Sequence, residues 1–310
     1  MRAAALFPGQ GSQYVGMGRS AFSSGPGSKV LERAQELLGM DLRRLCLEGP
    51  AEELGRTSIA QPCLLVVEVA LWETLRSQGF RAAGLAGHSL GEFAAWVAAG
   101  ALEFEPALRL VAERGELMEK AALRSKGAMA ALLNLHVDEV EAICESVREG
   151  QVLVAANFNA PGQVVISGQE AAVKRAEAEA KKRGARAVRL AVQGAFHSPL
   201  MEEAAREFAT EVENARIEPA SAPVAANSEG VLVTEPDEIR AAMTRQMLSA
   251  VRWTDCVRCL SDCDVFVEIG PGSVLKGLCK RILPGAVCLS AEAENVLEQL
   301  DGISKGGATA

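Results

Sequence analysis

The chain has 310 residues, of which 49% are hydrophobic and 23% charged, and its formal net charge is −8. These values predict a folded protein with a large core, and the negative charge disfavours a nucleic-acid partner or a broad phosphate-binding surface. The sequence has no run of about 18 apolar residues that would predict a membrane span. Its opening segment breaks at Pro8-Gly9, too early for a signal peptide, so we expect a cytoplasmic protein with no membrane partner.

The first part of the chain alternates short apolar runs with helical patterns. The segment 3–11 is an apolar strand that ends in a Gly-rich loop, and 59–79 has the apolar spacing of a helix. A strand is then predicted at 82–86, a helix at 92–99 and another helix at 105–124. Strands that alternate with helices predict a parallel sheet covered by helices on both faces.

The pattern changes near Gly127. In chain order we predict a strand at 128–135, a helix at 137–149, strands at 152–158 and 163–168, a helix at 170–184 and a strand at 185–192. The order β-α-β-β-α-β is that of a ferredoxin-like unit. We therefore expect an α/β protein in which residues 126–192 form a small ferredoxin-like subdomain, inserted in a large domain of residues 1–125 and 193–310.

The last part of the chain returns to the large domain. Helices are predicted at 198–214 and 236–249, strands at 223–227 and 264–268, and a strand, tight turn and helix over 267–278. The three cysteines Cys256, Cys259 and Cys263 are close in sequence, but they lack a fourth ligand and lie where a helix runs into a strand. We therefore interpret them as structural thiols and expect no metal site. Neither 9–16 nor 270–277 completes a G-x-G-x-x-G motif, so no cofactor is expected.

The motif "GHSLGE" at 87–92 places Ser89 between two glycines, after a predicted strand and before a predicted helix. A G-x-S-x-G turn holds its serine in a strained backbone, exposes the hydroxyl oxygen and leaves N–H groups free to stabilise an oxyanion. Short Gly-flanked serine turns also occur in α/β proteins without a catalytic role. From the pattern alone, Ser89 is a candidate nucleophile with a structural alternative.

A serine nucleophile needs a base, and the sequence has three histidines. His88 is adjacent to Ser89 and should point in a different direction, so it can shape the site. His136 is expected at the surface, at the start of a helix. His197, where the chain leaves the small unit, is the favoured base, with a capping or surface role as the alternative. A carboxylate or a backbone carbonyl can orient it, and the sequence does not choose between them.

Two further polar residues are candidates for the same site. Gln10 lies in the loop after the first strand, where the loops of a parallel sheet converge, and its loop amide can supply a second oxyanion donor. The alternative is a simple glycine turn. Arg114 lies on a largely apolar helix; a guanidinium aimed into a pocket binds a carboxylate through two hydrogen bonds, whereas an exposed helix arginine is the favoured alternative in isolation.

Taken together, these segments resemble the malonyl-CoA:acyl carrier protein transacylase family, the acyltransferases of fatty acid and polyketide synthesis. The resemblance covers nearly the whole chain in family order, over the segments 7–18, 87–92, 114–118, 157–168, 194–201, 251–255 and 267–278. Departures are small. Ala250 stands where many relatives have proline, and 223–230 is a loose version of a Pro-Val…Asn segment.

The resemblance implies an α/β-hydrolase-like large domain with a ferredoxin-like small subdomain. It also implies a role for each matching residue: Ser89 as nucleophile, His197 as base, Gln10 and the N–H of Leu90 as the oxyanion hole, Arg114 as the partner of the malonyl carboxylate, the Gln246 carbonyl as the group that orients the histidine, and His88, Met118 and Phe196 as residues that shape the site.

The activity implied is transfer of malonyl from malonyl-CoA to the phosphopantetheine thiol of acyl carrier protein, by a ping-pong mechanism through a malonyl-serine ester, in a monomer without cofactor. One alternative is a Ser–His thioesterase or acyl hydrolase, which Arg114 and the lack of an evident acidic partner for His197 disfavour. Another is a non-catalytic subunit that docks carrier protein, which the intact Ser89 and His197 disfavour.

Overall fold

A computed structural model describes residues 1–192, 194–293 and 295–306. The strands are β1 (Ala3–Phe7), β2 (Gly84–Gly87), β3 (Gly127–Leu133), β4 (Leu153–Ala160), β5 (Gln163–Gln169), β6 (Arg186–Arg189), β7 (Val224–Ala226), β8 (Val231–Val233), β9 (Val265–Glu268) and β10 (Val287–Ser290).

The helices alternate with these strands over most of the chain. They are α1 (Gly25–Leu38), α2 (Leu42–Leu47), α3 (Ala51–Leu54), α4 (Thr57–Ser77), α5 (Gly91–Ala98), α6 (Phe104–Ser125), α7 (Val137–Val147), α8 (Glu170–Lys182), α9 (Glu202–Asn214), α10 (Pro236–Gln246), α11 (Trp253–Arg258), α12 (Val274–Ile282) and α13 (Val296–Gly306).

The larger sheet has the strand order β10-β9-β1-β2-β7-β8. Every neighbouring pair from β10 to β7 is parallel, and β8 pairs antiparallel with β7 at the edge. The central strand β1 is buried along its whole length because helices cover both faces of the sheet. Ala5 and Phe7 pack into one core cluster, whereas Ala4 and Leu6 pack into a second cluster on the opposite face.

The smaller sheet has the order β4-β5-β3-β6, and each neighbouring pair is antiparallel. Helices α7 and α8 lie against it and bury a separate core that contains Ile143 and Val173. The chain order β-α-β-β-α-β and this strand order are those of a ferredoxin-like unit, so the predicted fold class is confirmed. The exact limits of the subdomain, 126 and 192, stay a prediction.

Helix α4 is the one helix among the described residues that is long and apolar enough to cross a membrane, and 78% of its most apolar window is buried inside the protein. It packs against α1, α5 and α6. Burial of this extent is what the central helix of a layered α/β domain requires, and it explains why the segment is apolar on all sides.

Two predicted helices differ from those in the structure. The segment predicted as a helix over 198–214 divides into a 3₁₀ turn at Pro199–Met201 and α9. The helix predicted over 236–249 ends at Gln246, and the next three residues form a turn. That early end matters because it turns main-chain carbonyls away from the helix and toward the site described below.

Candidate active site

Ser89 lies in a sharp turn between β2 and α5, which we call the nucleophile elbow (residues 87–91). Its backbone has φ +52°, in the left-handed region that an L-residue adopts only under constraint. The two flanking glycines allow the turn, since a Cβ on Gly87 would lie 2.0 Å from the carbonyl carbon of Gly91. The motif therefore folds as the sequence predicts, with the serine at the end of a parallel strand.

His197 lines the same pocket as Ser89, and the two side chains are hydrogen-bonded. The distance between Ser89 Oγ and His197 Nε2 is 2.7 Å. The other ring nitrogen, Nδ1, lies 3.1 Å from the main-chain oxygens of both Gln246 and Ser249. Because a carbonyl oxygen can only accept, Nδ1 must carry the proton and donate a hydrogen bond to these oxygens. Nε2 is therefore the acceptor for the serine hydroxyl. Backbone carbonyls thus orient the imidazole.

The turn that supplies these carbonyls is fastened to the small sheet. Val251 exchanges two main-chain hydrogen bonds with β4, donating to Ala156 O at 2.8 Å and accepting from Phe158 N at 2.9 Å. A register shift in β4 next to Asn157 leaves room for this extra pairing. The small sheet therefore helps to fix the carbonyls that hold the histidine.

Burial lowers the pKa of His197 to about 3, and the positive charge of Arg114 adds to this effect. The hydrogen bonds that Nδ1 donates to the carbonyls act in the opposite direction but are weaker. The side chain is only 4% exposed. At neutral pH the imidazole is therefore neutral, which is the form that can take a proton from Ser89.

Arg114 is a buried cation at the same point, with 1% of its surface exposed. Nη1 donates to Gln61 Oε1 at 2.6 Å, and Nη2 donates to Gln246 Oε1 at 2.9 Å and to Ser89 Oγ at 3.2 Å. Its guanidinium also lies 5.6 Å from the ring centre of Phe93. Burial lowers its pKa to about 10, so it remains charged at neutral pH.

The side chain of Gln246 connects the cation to the nucleophile elbow. Nε2 donates to the main-chain oxygen of Ser89 at 2.9 Å and to the carboxyl group of Glu92. Glu92, at the start of α5, is 1% exposed, and burial raises its pKa to about 7. Sequence analysis assigned no role to Glu92, although it is part of the motif that contains Ser89.

The proposed oxyanion donors lie at the same pocket as Ser89. One of the two N–H donors of the Gln10 side-chain amide is engaged, because Nε2 donates to Thr57 Oγ1 at 3.1 Å. Within the described part of the chain, the main-chain N–H groups of Gln10 and Leu90 have no acceptor. They are therefore available to a ligand oxygen. The N–H of Ser89 is not, since it donates to Asn227 Oδ1 at 2.7 Å.

His88 connects the elbow to the small sheet. Its Nε2 lies 2.8 Å from Asn159 Oδ1 on β4, and its ring centre lies 5.4 Å from that of Trp253. Burial lowers its pKa. The imidazole is thus engaged with Asn159 on the small sheet, and its site-shaping role stays a prediction.

The pocket lies between the two sheets. From the large domain it is lined by the Ser89–His197 pair and Arg114, and by Gln10, His88, Leu90, Met118 and Phe196. From the small sheet it is lined by Met129, Ala131 and Val165. Apolar side chains with a few convergent polar groups are typical of small-molecule sites. The three clustered cysteines lie elsewhere: Cys256 is buried, and its thiol donates to Ala226 O.

Besides Glu92, four residues that contact this machinery were not predicted from the sequence, namely Gln61, Asn159, Asn227 and Ser249. Three are neutral amides and one acts through its main-chain oxygen, so none has a chemical signature in a single sequence. Asn227 lies in the segment 223–230, which carried a weak family signal.

A serine hydroxyl paired with a neutral imidazole, at the carboxyl end of a parallel sheet, is typical of enzymes that move acyl groups. Comparison with known proteins agrees with this class. Residues 5–292 match the family described as "Acyl transferase domain". The malonyl CoA-acyl carrier protein transacylase of Haemophilus influenzae is 43% identical over 286 residues, which are 90% of this chain and 92% of that protein.

Solved structures give the same assignment. An acyl carrier protein S-malonyltransferase from Vibrio cholerae superposes with a TM-score of 0.93 at 40% identity, over 97% of this chain and 100% of that one. A malonyl-transacylase in complex with a type II polyketide synthase acyl carrier protein superposes with a TM-score of 0.91 at 37% identity, over 98% and 100%. The chain belongs to the acyl transferase family.

Proposed function

We propose that this protein transfers the malonyl group of malonyl-CoA to the phosphopantetheine thiol of acyl carrier protein, through a malonyl ester on Ser89. One observation carries the proposal: Ser89 Oγ lies 2.7 Å from His197 Nε2 and 3.2 Å from Arg114 Nη2. Nucleophile, base and buried cation therefore meet at a single oxygen. The names of the similar proteins support the same activity.

Arg114 supports a substrate that carries its own negative charge. Its hydrogen-bond acceptors are neutral amide and hydroxyl oxygens, and none of the ion pairs found among the described residues includes it. A buried cation without a direct counter-ion is costly, and a carboxylate on the substrate supplies the missing partner. A malonyl thioester has such a carboxylate, whereas an acetyl thioester leaves the cation unpaired.

In the first half-reaction His197 Nε2 takes the hydroxyl proton of Ser89 while Oγ attacks the thioester carbonyl carbon. The main-chain N–H groups of Gln10 and Leu90 hold the oxyanion that forms. When the tetrahedral intermediate collapses, the C–S bond breaks, and the imidazolium returns its proton to the CoA thiolate. A malonyl ester on Ser89 remains, with its carboxylate at Arg114.

The second half-reaction reverses these steps with another thiol. The phosphopantetheine thiol of the carrier protein gives its proton to His197 Nε2, and its sulfur attacks the ester carbonyl. The C–O bond to Ser89 breaks, and the serine oxygen recovers the proton from the imidazolium. We further propose that the protein acts in the cytoplasm as a monomer; Ser89, His197 and Arg114 meet within one chain, so the proposed reaction needs no second subunit.

Intact-mass spectrometry after mixing with malonyl-CoA tests the intermediate. We expect one malonyl adduct that maps to Ser89 and is lost in Ser89→Ala. Ser12→Ala is the matched control, because it removes another hydroxyl from the same pocket and should keep the adduct. An adduct on a different residue would contradict the proposal.

Adding carrier protein to the isolated malonyl-enzyme then separates transfer from hydrolysis. We expect malonyl to appear on the carrier thiol. Release of free malonate in the presence of carrier protein that bears a free phosphopantetheine thiol, without transfer, would instead identify an acyl hydrolase.

A further inference from the structure

A single buried asparagine, which is not among the residues that line the pocket, bridges the nucleophile elbow. Asn227 directly follows β7, the strand that pairs with β2, and it is 1% exposed. Its Oδ1 accepts from Ser89 N at 2.7 Å, and its Nδ2 donates to Gly87 O at 2.7 Å. Its main-chain N–H donates to Glu92 Oε1 at 2.9 Å. These three bonds join the end of the strand to the first turn of the helix.

The side-chain amide replaces main-chain pairing that the turn cannot make for itself. At the elbow the chain has left β2 and has not yet entered α5, so the Gly87 carbonyl and the Ser89 N–H need partners from elsewhere. Asn227 satisfies both with one planar group. A non-glycine residue keeps a positive φ only when its surroundings over-determine it. The two Asn227 bonds hold the main chain just before the Ser89 Cα, and Gln246 Nε2 holds the Ser89 carbonyl after it.

The contacts of Asn227 also show what it does not do. Its partners among the described residues are main-chain groups of the elbow, the Glu92 carboxyl group, the thiol of Cys256 at 4.0 Å from Nδ2, and the Arg252 N–H, which donates to the Asn227 main-chain oxygen at 2.9 Å. Ser89 Oγ and His197 are not among its hydrogen-bond partners within the described chain. The bond to Glu92 comes from the main-chain N–H and is kept in any variant of residue 227 except proline. Loss of the side-chain amide therefore acts on the reaction through the elbow backbone.

We propose that Asn227 is a positioning residue for the nucleophile: it holds the elbow so that Ser89 Oγ faces His197 and reserves the Leu90 N–H, rather than the Ser89 N–H, for the oxyanion. This inference rests on the part of the proposed function that makes Ser89 the nucleophile. It does not depend on which acyl group Ser89 accepts.

Two substitutions separate positioning from simple packing. Asn227→Ala removes both side-chain bonds. Asn227→Asp keeps the size and the acceptor for Ser89 N–H, but an ionised carboxylate cannot donate to Gly87 O. A protonated one can, so the Asp variant has a pH-dependent defect whereas the Ala variant does not. Among the described residues, the titratable groups in contact with residue 227 are Glu92 and Cys256. An ionised Glu92 favours the protonated form of the carboxyl group that Asn227→Asp introduces.

The readouts are the rate constant for labelling of Ser89 by a fluorophosphonate probe, and kcat and KM for malonyl transfer, each measured as a function of pH. We expect Asn227→Ala to slow labelling and lower kcat by about 10- to 100-fold, since a displacement near 1 Å has an effect of that order. KM should change by less than about threefold. Asn227→Asp should be slow at pH 8 and regain rate as the pH falls, while His197 stays neutral.

Ile143→Val is the control, because it removes one methylene group from the core of the small sheet without contact with the elbow. Its thermal midpoint provides a reference for a purely structural loss, and its labelling rate should equal that of the wild type. Folded Asn227→Ala that labels at the wild-type rate, or Asn227→Asp with the wild-type pH profile, would overturn the inference. If the wild type reacts with the fluorophosphonate probe but does not transfer malonyl, the proposed acyl donor is refuted. The role of Asn227 can then still be measured from the labelling rates of its variants.

Discussion

Replacing Arg114 with alanine tests the origin of substrate choice. Nη1 is held by Gln61, and Nε has no partner among the described residues. Nε and Nη2 form one edge of the guanidinium, and the longest bond on that edge is the one from Nη2 to Ser89 Oγ, at 3.2 Å. This edge is therefore the one that can receive a carboxylate through two parallel hydrogen bonds.

The magnitude follows from the burial of the pair. Truncating one partner of a buried, hydrogen-bonded charge pair costs about 2–5 kcal/mol. At about 1.36 kcal/mol for each factor of ten, kcat/KM for malonyl-CoA should fall by about 30-fold to several thousand-fold. Activity with acetyl-CoA should be unchanged or higher, because the substitution removes a desolvated charge that acetyl cannot pair.

The assay is the initial rate of transfer to carrier protein from malonyl-CoA and from acetyl-CoA, with Arg114→Ala and Arg109→Ala compared. Arg109 lies on the exposed side of the same helix, so its removal should leave both rates unchanged. Loss of Arg114 also leaves the amide oxygens of Gln61 and Gln246 without their donor, at about 1–3 kcal/mol each in stability. The thermal midpoint of the variant must therefore be checked. An equal loss with both donors would refute the assignment of Arg114 to the substrate carboxylate.

Two further predictions concern pH. A histidine with the ordinary pKa of about 6.5 would lose roughly 25-fold in kcat/KM for Ser89 acylation between pH 7 and pH 5, because its neutral fraction falls by that factor. With the pKa of His197 lowered to about 3, this group should cause no such loss. The pH dependence of kcat/KM is measured in the wild type and in Glu92→Gln, because burial raises the pKa of Glu92 to about 7 and this group can add its own transition. A fall in kcat/KM with a pKa near 6.5 that persists in Glu92→Gln would contradict the prediction. Glu68 is fully buried, neither of its carboxyl oxygens has a partner among the described residues, and burial raises its pKa well above the ordinary value. Its ionisation therefore opposes folding above about pH 4.5. Glu68→Gln should raise the urea midpoint of unfolding at pH 8 and not at pH 4, and the control Glu52→Gln, at an exposed position, should raise it at neither pH. An equal gain at both pH values would be inconsistent with a buried neutral acid.

Much of the architecture could be predicted because its strongest elements are long and periodic. The apolar pattern predicts α4 and α6 to within about two residues, and the change of pattern near Gly127 marks the small sheet. Strands β8 and β10 were missed, since three or four residues show too little alternation to identify a strand on their own. Strands β7 and β9 are as short, but they lie within the longer, mostly apolar segments 223–227 and 264–268. Helix α1 was missed although Pro26 near its first turn is a typical start signal.

The site divides in a similar way. Ser89 and Arg114 carry side-chain chemistry that a sequence displays directly. The carbonyl oxygens of Gln246 and Ser249 do not, because every residue has one and only the early end of α10 turns these two toward His197. Asn227 has a role only once β7 lies beside β2, which is a property of strand order and not of local sequence.

The proposed mechanism also links substrate choice to the strength of the base. In the free enzyme Arg114 lowers the pKa of His197, so the cation that recognises malonyl weakens the group that must accept the serine proton. A malonyl carboxylate at the guanidinium cancels most of that field and makes the imidazole more basic. An acetyl group leaves the field in place. Arg114 therefore discriminates twice, once in binding and once in proton transfer. This is why its removal should lower the rate with malonyl-CoA and leave the rate with acetyl-CoA unchanged or higher.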